Sequence, residues 1–268
     1  MAMTSNDAKR ADGEKAATAG DSPARDANAG NGKVRLAAVG DLHAREGATG
    51  AYRELLAQIC AAADVLLLCG DLTEHGLARE AEILAEDLLT CKMPIIAVLG
   101  NHDFESGQRD EVVQALAHAG VTVLDGESCE VHGVGFAGVK GFCGGFGKHV
   151  VQPWGEEIVK HLVQETINEA LRLESALAKL ETSQMVALLH YSPVRDTVEG
   201  EHPEVITYLG SSRLAEPIDR FAVGAVFHGH AHHGTLQGKT ATGIPVYNAS
   251  LPLLRRVRPD QPYALFEL

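Results

Sequence analysis

The sequence lacks three features, each of which would have pointed to a particular class of protein. No apolar run reaches the roughly 18 residues that a membrane-spanning helix needs, so no membrane segment is predicted. Positive charge is scarce: the formal net charge is −13, which argues against nonspecific binding to nucleic acid or anionic membranes. The five cysteines are scattered without a CxxC pair, so we expect reduced thiols in a cytoplasmic protein.

The first 33 residues also lack valine, leucine, isoleucine, phenylalanine, tyrosine, tryptophan and cysteine. Such a segment cannot bury enough apolar surface to offset the entropy lost on ordering. We therefore predict a disordered tail over residues 1–33, without the apolar stretch of a secretory signal. Residues 34–268 are long enough for one large α/β domain.

From Val34 onward, short apolar runs alternate with helical patterns. Val34–Val39, Val65–Cys69 and Pro94–Leu99 are typical of strands, and a helical pattern follows each one. This alternation predicts βαβ units and a largely parallel sheet. Further strands are predicted over Val121–Leu124, Val131–Val139, Met185–Leu189, Gly224–Phe227, Pro245–Ala249 and Tyr263–Glu267.

The segment from about 143 to 182 departs from this rhythm and is interpreted as a helical insert. Apolar residues recur at roughly helical spacing across Glu156–Thr182, amid glutamates and lysines. This predicts one long helix or two shorter ones. Packing on the body of the domain is favoured over a partner-binding coil, because a coiled coil needs sustained heptads.

Polar residues suited to metals follow the ends of five predicted strands. The five segments are Asp41-Leu42-His43, Gly70-Asp71, Gly100-Asn101-His102-Asp103, His190 and Gly229-His230-Ala231-His232. Because the carboxyl ends of parallel strands face one crevice, segments far apart in sequence are expected to meet there. Alternate residues of an extended strand end point the same way, so Asp41 with His43 could offer two ligands to one cavity.

Each segment alone has an ordinary structural interpretation. An aspartate at a strand end is commonly a helix cap, and a Gly-Asp pair is usually a turn. A single histidine on an apolar strand is more often a hydrogen-bonded core residue than a ligand. The metal hypothesis rests on all five segments arriving in order, each at the end of a predicted strand.

In this order the five segments resemble the motifs of the calcineurin-like metallophosphoesterase superfamily, across residues 41–232. The resemblance implies an α/β fold, a four-layer sandwich of two mixed β-sheets flanked by α-helices. It also implies a binuclear metal centre that hydrolyses phosphate esters by attack of a metal-bound hydroxide on phosphorus.

The resemblance further implies a role for each matching residue. Each of two divalent metal ions would be held by four side chains: Asp41, His43, Asp71 and His232 for one, and Asp71, Asn101, His190 and His230 for the other. His102 matches the family's catalytic histidine, which is not a ligand, and Asp103 matches the acid that orients it. Ligands of this mixed type suit Mn²⁺, Fe or Zn²⁺ better than Ca²⁺ or Mg²⁺, and the choice among the three stays open.

The expected substrate is a small-molecule phosphodiester or phosphomonoester, such as a nucleotide. Nucleic acid is the less favoured substrate, because duplex binding needs several lysine or arginine contacts to phosphates. The cluster of Arg255, Arg256 and Arg258 is the one feature that favours a metal-dependent nuclease, although a surface location is expected for it. A non-catalytic metal-binding scaffold is the alternative from another class, and the oligomeric state is left open.

Three neighbouring residues have weaker claims on the site. His228 would point away from it if strand alternation holds there, so a core or surface position is expected. Arg195 could hold a phosphate oxygen, although a solvated surface arginine is more common. Cys69 lies in a predicted buried strand, which favours a structural role.

Overall fold

The computed structural model describes residues 33–268. The tail predicted over residues 1–33 therefore lies outside the described residues, apart from Lys33. In chain order the elements are β1 (Arg35–Val39), α1 (Arg53–Ala62), β2 (Val65–Cys69), α2 (Ala78–Leu88), β3 (Ile95–Val98), α3 (Arg109–His118), β4 (Val121–Val123), β5 (Glu127–Val131), β6 (Val134–Gly138), α4 (Glu157–Leu177), β7 (Gln184–Leu188), α5 (Ala215–Ile218), β8 (Val223–His228), β9 (Gln237–Lys239), β10 (Pro245–Asn248), α6 (Leu251–Val257) and β11 (Ala264–Glu267).

These strands form two mixed sheets. The first has the order β11-β1-β2-β3-β4, in which β11 alone is antiparallel to its neighbour. The second has the order β5-β6-β7-β8-β10-β9, with a parallel centre and antiparallel strands at both edges. The predicted α/β architecture of two mixed sheets with flanking helices is confirmed.

The apolar side chains explain why the layers stack as they do. Strand β2 is buried along its whole length: Val65 and Leu67 pack between the two sheets, whereas Leu66 and Leu68 pack against the helices α1 to α3. A strand covered on both faces needs apolar residues at every position, which accounts for its uninterrupted apolar run. A third cluster joins the outer face of the second sheet to α4 and α5.

The helical insert contains one helix, α4, of 21 residues. Its buried residues Val163, Leu173 and Leu177 lie on one face, and Leu173 and Leu177 belong to the core cluster on the second sheet. The helix therefore packs on the body of the domain, as expected. Within residues 33–268, no helix combines the length and apolar character needed to cross a membrane.

The strand predicted over Val131–Val139 is confirmed as β6 over Val134–Gly138, but its predicted start is wrong and β5 was not predicted. The chain reverses at His132 and Gly133, whose φ angles are 52° and 77°, and β5 and β6 pair antiparallel on either side. Two consecutive positive φ angles are typical of a type I′ hairpin turn. The apolar residues on both sides of the turn concealed it, because they continue the alternation of a strand.

Candidate metal centre

The five sequence segments meet at one edge of the sandwich, where parallel strands of both sheets end. Three overlapping groups of side chains bring their ligand atoms within 4.8 Å of one another: Asp41 with His43 and His232, His43 with Asp71 and His102, and Asp71 with His190 and His230. Asp71 and His43 each belong to two groups. The described residues thus contain one continuous cluster rather than separate sites.

Asp71 lies at the middle of this cluster. Its Oδ2 atom is 3.4 Å from His190 Nε2 and 4.0 Å from His43 Nε2. Its Oδ1 atom accepts a hydrogen bond of 2.9 Å from the backbone N–H of His102. A carboxylate at the end of a strand in the first sheet therefore faces an imidazole from each sheet.

His190 is held in one orientation by contacts on both ring nitrogens. Its Nδ1 atom lies 2.9 Å from the carbonyl oxygen of Cys69, and its Nε2 atom lies 3.0 Å from Asn101 Oδ1. If Nδ1–H donates to that carbonyl, the Nε2 lone pair is directed at the cluster. Metal-binding histidines commonly show this arrangement, in which the second nitrogen is bonded to a backbone carbonyl.

Asp41 joins the first sheet to the loop that follows β8. His232 Nε2 lies 3.1 Å from Asp41 Oδ1, and the backbone N–H of His230 donates to both carboxylate oxygens, at 3.0 and 2.9 Å. These contacts span about 190 positions of the chain. They place the two histidines of the last motif beside the first.

The backbone around the cluster adopts conformations that side chains usually avoid. Asp41, His43, Asp71 and His230 have φ angles between 48° and 70°, and His132 is the other non-glycine residue of the described range with a positive φ. Such conformations cost energy and tend to occur at functional sites. At Gly100 even a Cβ would lie 2.1 Å from Asp71 Oδ1, so only glycine allows this close approach.

His43 provides the clearest test of whether a metal fits. Both of its ring nitrogens are buried and lack a hydrogen-bond partner within the described residues. Its Nδ1 atom lies 3.3 Å from Glu74 Oε2, but without hydrogen-bond alignment. Burying an unsatisfied polar atom is costly, and a metal ion bound to one nitrogen would remove the cost for that atom. The donor set and this imidazole both fit a divalent transition metal.

Electrostatic interactions link the residues that the two sheets bring to the cluster. Burial acts to lower the pKa of His190, but the Asp71 carboxylate outweighs it and raises the pKa to about 9. Burial acts to raise the pKa of Asp71, but His190 and the N–H of His102 hold it well below its usual range. Burial and the neighbouring His190 lower the pKa of His230 to about 3. The cluster therefore holds an anionic carboxylate beside a neutral His230.

His102 is half-buried, and its ring packs edge-on against His43 at 4.7 Å between centroids. Its Nδ1 atom lies 2.7 Å from the carbonyl oxygen of Glu74 and 3.3 Å from Glu105 Oε1. The orientation of the ring is set by these two residues, which sequence reasoning missed. Their only signal was proximity in sequence to Asp71 and to His102.

The resemblance assigned the orienting role to Asp103, and the structure does not support that assignment. The Asp103 side chain is fully buried and accepts hydrogen bonds from the N–H groups of Leu72, Thr73 and Gly100 and from the Thr73 hydroxyl. Its oxygens are thus committed to the backbone that follows β2 and β3. Asp103 fixes these two loops relative to each other and does not contact the His102 ring within the described chain.

The weaker candidates have clear positions. His228 is buried and points away from the cluster, as expected, with its Nε2 atom 2.8 Å from the Thr197 hydroxyl. Arg195 is exposed. Tyr191 is buried, with its ring centroid 4.5 Å from that of His230 and 5.4 Å from that of His190. Tyr191 directly follows His190, so the sequence places it near the site, but its contact with His230 depends on packing between distant segments.

A protein-family model described as calcineurin-like phosphoesterase matches residues 34–234. Among solved structures, the chain is similar to the phosphopantetheinyl hydrolase of Mycobacterium tuberculosis, with 15% identity and a TM-score of 0.63 over 88% of this chain and 96% of that one. It is also similar to TT1561 of Thermus thermophilus, with 17% identity and a TM-score of 0.52 over 88% and 98%. A third similar structure is GAP50, described as the anchor in the inner membrane complex of Plasmodium, with 14% identity and a TM-score of 0.50 over 82% and 72%. No curated protein matches the chain in sequence.

Proposed function

Since this chain belongs to the calcineurin-like phosphoesterase family, we propose that it is a two-metal hydrolase acting on a small phosphate ester such as a nucleotide. The observation that carries this proposal is the single cluster at the strand ends, in which the ligand atoms of each group lie within 4.8 Å of one another. The two unsatisfied nitrogens of His43 add support from within the chain itself.

Two groups of residues would hold the metals. The first metal would be bound by Asp41, His43, Asp71 and His232, and the second by Asp71, Asn101, His190 and His230. Asp71 would serve both, which is supported by its membership of the His43 group and of the His190 group. The metals themselves would be Mn²⁺, Fe or Zn²⁺, given nitrogen and oxygen ligands without a thiolate.

Charge balance makes this centre attractive to phosphate despite the acidic composition of the protein. Two divalent cations would bring four positive charges, against two negative charges from Asp41 and Asp71. The remaining positive charge would dominate the local field, as bound cations generally do. When bound, the metals would supply Lewis acidity that activates water and polarises the phosphoryl oxygens.

His102 would act as the general acid that protonates the leaving group. The carbonyl of Glu74 accepts a hydrogen bond from Nδ1–H, so Nε2 is the atom that would carry a proton to the leaving oxygen. The Glu105 carboxylate also lies 3.3 Å from Nδ1 and would help to hold the ring in this orientation. General-acid assistance of this kind is typically worth about 10²–10⁴-fold in rate.

The positions of the arginines favour a small substrate over nucleic acid. Arg256 is engaged with the loop of the last motif, with its Nη1 atom 3.1 Å from the His232 carbonyl oxygen and 3.1 Å from His233 Nδ1. Arg255 lines a cavity next to the cluster instead. Duplex binding requires several arginines or lysines free to contact successive phosphates. Arg256 is already bonded to the loop of the last motif, and Arg255 lines a small cavity, so the cluster does not present a row of free arginines.

The proposal is tested by reconstituting the protein with Mn²⁺, Fe²⁺ or Zn²⁺ and assaying bis(p-nitrophenyl) phosphate, p-nitrophenyl phosphate and 5′-nucleotides. We expect two metal ions per chain by elemental analysis and turnover of at least one ester. Two bound metals without turnover of any ester would favour the scaffold, and no stoichiometric metal uptake would overturn the proposal altogether. Preference for the monoester or the diester would then narrow the substrate class.

A further inference from the structure

A cavity of about 400 Å³ opens beside the first proposed metal position. Asp41 and His43 line it, and so do Arg45, Tyr52 and Arg255. Because two proposed ligands form part of its wall, the cavity borders the first proposed metal position. Its volume is in the range of small-molecule pockets and is far too small for a folded partner.

Arg45 is anchored at this cavity by Glu74. Its Nη2 atom lies 2.8 Å from Glu74 Oε1, and the other carboxylate oxygen of Glu74 lies 3.3 Å from His43 Nδ1. Only one edge of the guanidinium is occupied by this contact. The remaining N–H groups are exposed, since 66% of the Arg45 side chain is accessible to solvent.

Arg255 reaches the same cavity from α6. That helix is fixed to the end of β1, because Leu251 N–H donates to the Gly40 carbonyl at 3.0 Å, one residue before Asp41. Arg255 follows Leu251 by four residues, so both lie on the same face of the helix. Among the ion pairs of residues 33–268 none involves Arg255, so its charge is not neutralised by a neighbour.

Tyr52 lines the cavity together with the two arginines and offers no free hydroxyl. Its O–H donates to the Leu42 carbonyl, which leaves the ring as an apolar surface. The cavity thus combines the unpaired guanidinium of Arg255 and the free edge of Arg45, whose other edge is paired with Glu74, with a carbon-rich wall. A ligand with an anionic end and a short uncharged body would match this lining, because guanidinium groups bind phosphate and carboxylate with paired hydrogen bonds.

We infer that Arg45 and Arg255 form a second anion-binding subsite, which selects phosphate esters that carry a further phosphate group away from the one that is cleaved. This inference deepens the proposed function and rests on it, since the metals would hold the first phosphate. In a protein with a net charge of −13, two arginines beside the metals concentrate the attraction for a substrate with two anionic groups at one place.

The test compares adenosine 5′-monophosphate with two bisphosphorylated probes of different spacing, ADP and adenosine 3′,5′-bisphosphate, on the manganese-loaded protein. Affinity is taken as KM where the probe is hydrolysed and as Kd from calorimetry where it is not. We expect at least one bisphosphorylated probe to bind about tenfold tighter than the monophosphate, as an additional charged contact predicts.

The variants separate the subsite from the metal centre. In Arg255→Gln, and again in Arg45→Gln, the ratio of the two affinities should fall about tenfold. The matched control is Arg258→Gln, which removes an exposed arginine beyond the end of α6 and should leave the ratio unchanged. Equal affinity for all three probes in the wild type, or a preference that survives in both variants, would overturn the inference. Arginine-dependent preference without turnover would instead contradict the proposed activity alone.

A second and independent observation concerns Cys60 and Cys91, near the amino ends of β2 and β3 and therefore far from the metal centre. Their Sγ atoms lie 2.7 Å apart, well inside the separation of two sulfur atoms in ordinary contact. Cys60 is exposed and Cys91 is buried. All five cysteines are free thiols in this structure, so this pair is poised for a bond that has not formed.

The geometry points to a reversible disulfide between Cys60 and Cys91, formed by exchange with a small disulfide such as oxidised glutathione. The exposed Cys60 thiolate attacks the reagent and releases one glutathione thiolate. The Cys91 thiolate then attacks Cys60 Sγ and releases the second. Two protein thiols lose two protons and two electrons, and one glutathione disulfide gains both.

Thiol titration in denaturant after treatment with oxidised glutathione tests this pairing. We expect five free thiols to fall to three, a Cys60–Cys91 peptide by mass spectrometry, and a midpoint of thermal unfolding that rises by about 5 °C or more. The control variant Cys129→Ser should fall from four thiols to two and keep the rise in midpoint. Cys60→Ser should lose the rise. Five remaining thiols in the wild type, or a cross-link between other cysteines, would overturn this inference.

Discussion

The two sheets bring different chemistry to the same cluster. The first sheet supplies all the oxygen donors, Asp41, Asp71 and Asn101, and the second sheet supplies only imidazoles, in His190, His230 and His232. Three of the four strained positions also belong to the first sheet. The first half therefore carries the negative charge and most of the backbone strain, whereas the second half would contribute nitrogen ligands from the segments that follow β7 and β8.

This difference shows which half should control the site. Carboxylates attract the cations and are hard to bury without them, so their loss should affect both metal positions. Neutral imidazoles add ligands without adding charge. The contact between His190 and Asp71 joins the halves, and it explains why neither sheet alone would form the centre.

The largest expected effect comes from removing the central charge of the first half. Asp71→Asn keeps the size of the side chain but removes its charge, so both metals should be lost. Turnover should fall more than about 100-fold, which exceeds the loss usually seen when a residue that only contacts a metal ligand is changed. Elemental analysis and the p-nitrophenyl assays measure this. Asp110→Asn, at an exposed aspartate, is the control. Two metals per chain in Asp71→Asn would contradict the division of roles between the sheets.

A smaller loss of turnover is expected for a change at His102, which lies in the first half but is not a proposed ligand. His102→Ala should keep both metals, because His102 is not among the proposed ligands and its Nδ1 atom contacts the Glu74 carbonyl oxygen. Turnover should fall about 10²–10⁴-fold on esters with poor leaving groups and much less on p-nitrophenyl esters, whose leaving group needs little protonation. Equal losses on both kinds of ester would exclude a role in proton transfer.

Asp103→Ala should act on the fold more than on the chemistry. It leaves buried N–H groups of Leu72, Thr73 and Gly100 without an acceptor, which should cost about 3 kcal/mol of unfolding free energy and roughly 6–12 °C in Tm. Calorimetry on the metal-free protein isolates this effect. If the Tm were unchanged while turnover fell as far as in His102→Ala, the orienting role would have to be restored to Asp103.

The last expected effect is a dependence of stability on pH that is present without metal and absent with it. In the metal-free protein the pKa of His190 is raised from 6.5 to about 9, so its contribution to stability is complete below about pH 6.5 and is lost as the pH rises through 9. Metal binding requires neutral His190, so metal affinity should rise over the same interval. Tm measured from pH 6.5 to 9 should fall without metal and not with it. A parallel fall in both would contradict this coupling.

Local sequence patterns could predict the site residues that directly follow strands. The βα rhythm placed Asp41, Asp71 and His190 correctly, because strand direction alone sends them to one edge. The orientation of His102 could not be predicted, since adjacent Asp103 turns its carboxylate into the backbone through a short 3-10 segment at His102–Phe104. Arg255 belongs to a helix that carried no periodic signal long enough to be recognised.

The fold shows the same difference between features set by neighbouring residues and features set by distant contacts. Apolar runs predicted the strands that are buried on both faces, but the turn at His132 and Gly133 lies inside a segment that was predicted as one strand. Strand β9 has only three residues, none of them apolar, and pairs with β10 at the edge of a sheet. Its position follows from a partner that sequence alone could not identify.

The bond from Leu251 to Gly40 has a consequence for biosynthesis. It links positions more than 200 residues apart and completes the surroundings of Asp41 late in the growth of the chain. On a ribosome, the early motifs would emerge long before their partners, because domains fold as units only once the contributing segments are available. Metal loading is therefore expected after translation of this domain is finished, and a polypeptide stalled before residue 251 should retain no tightly bound metal.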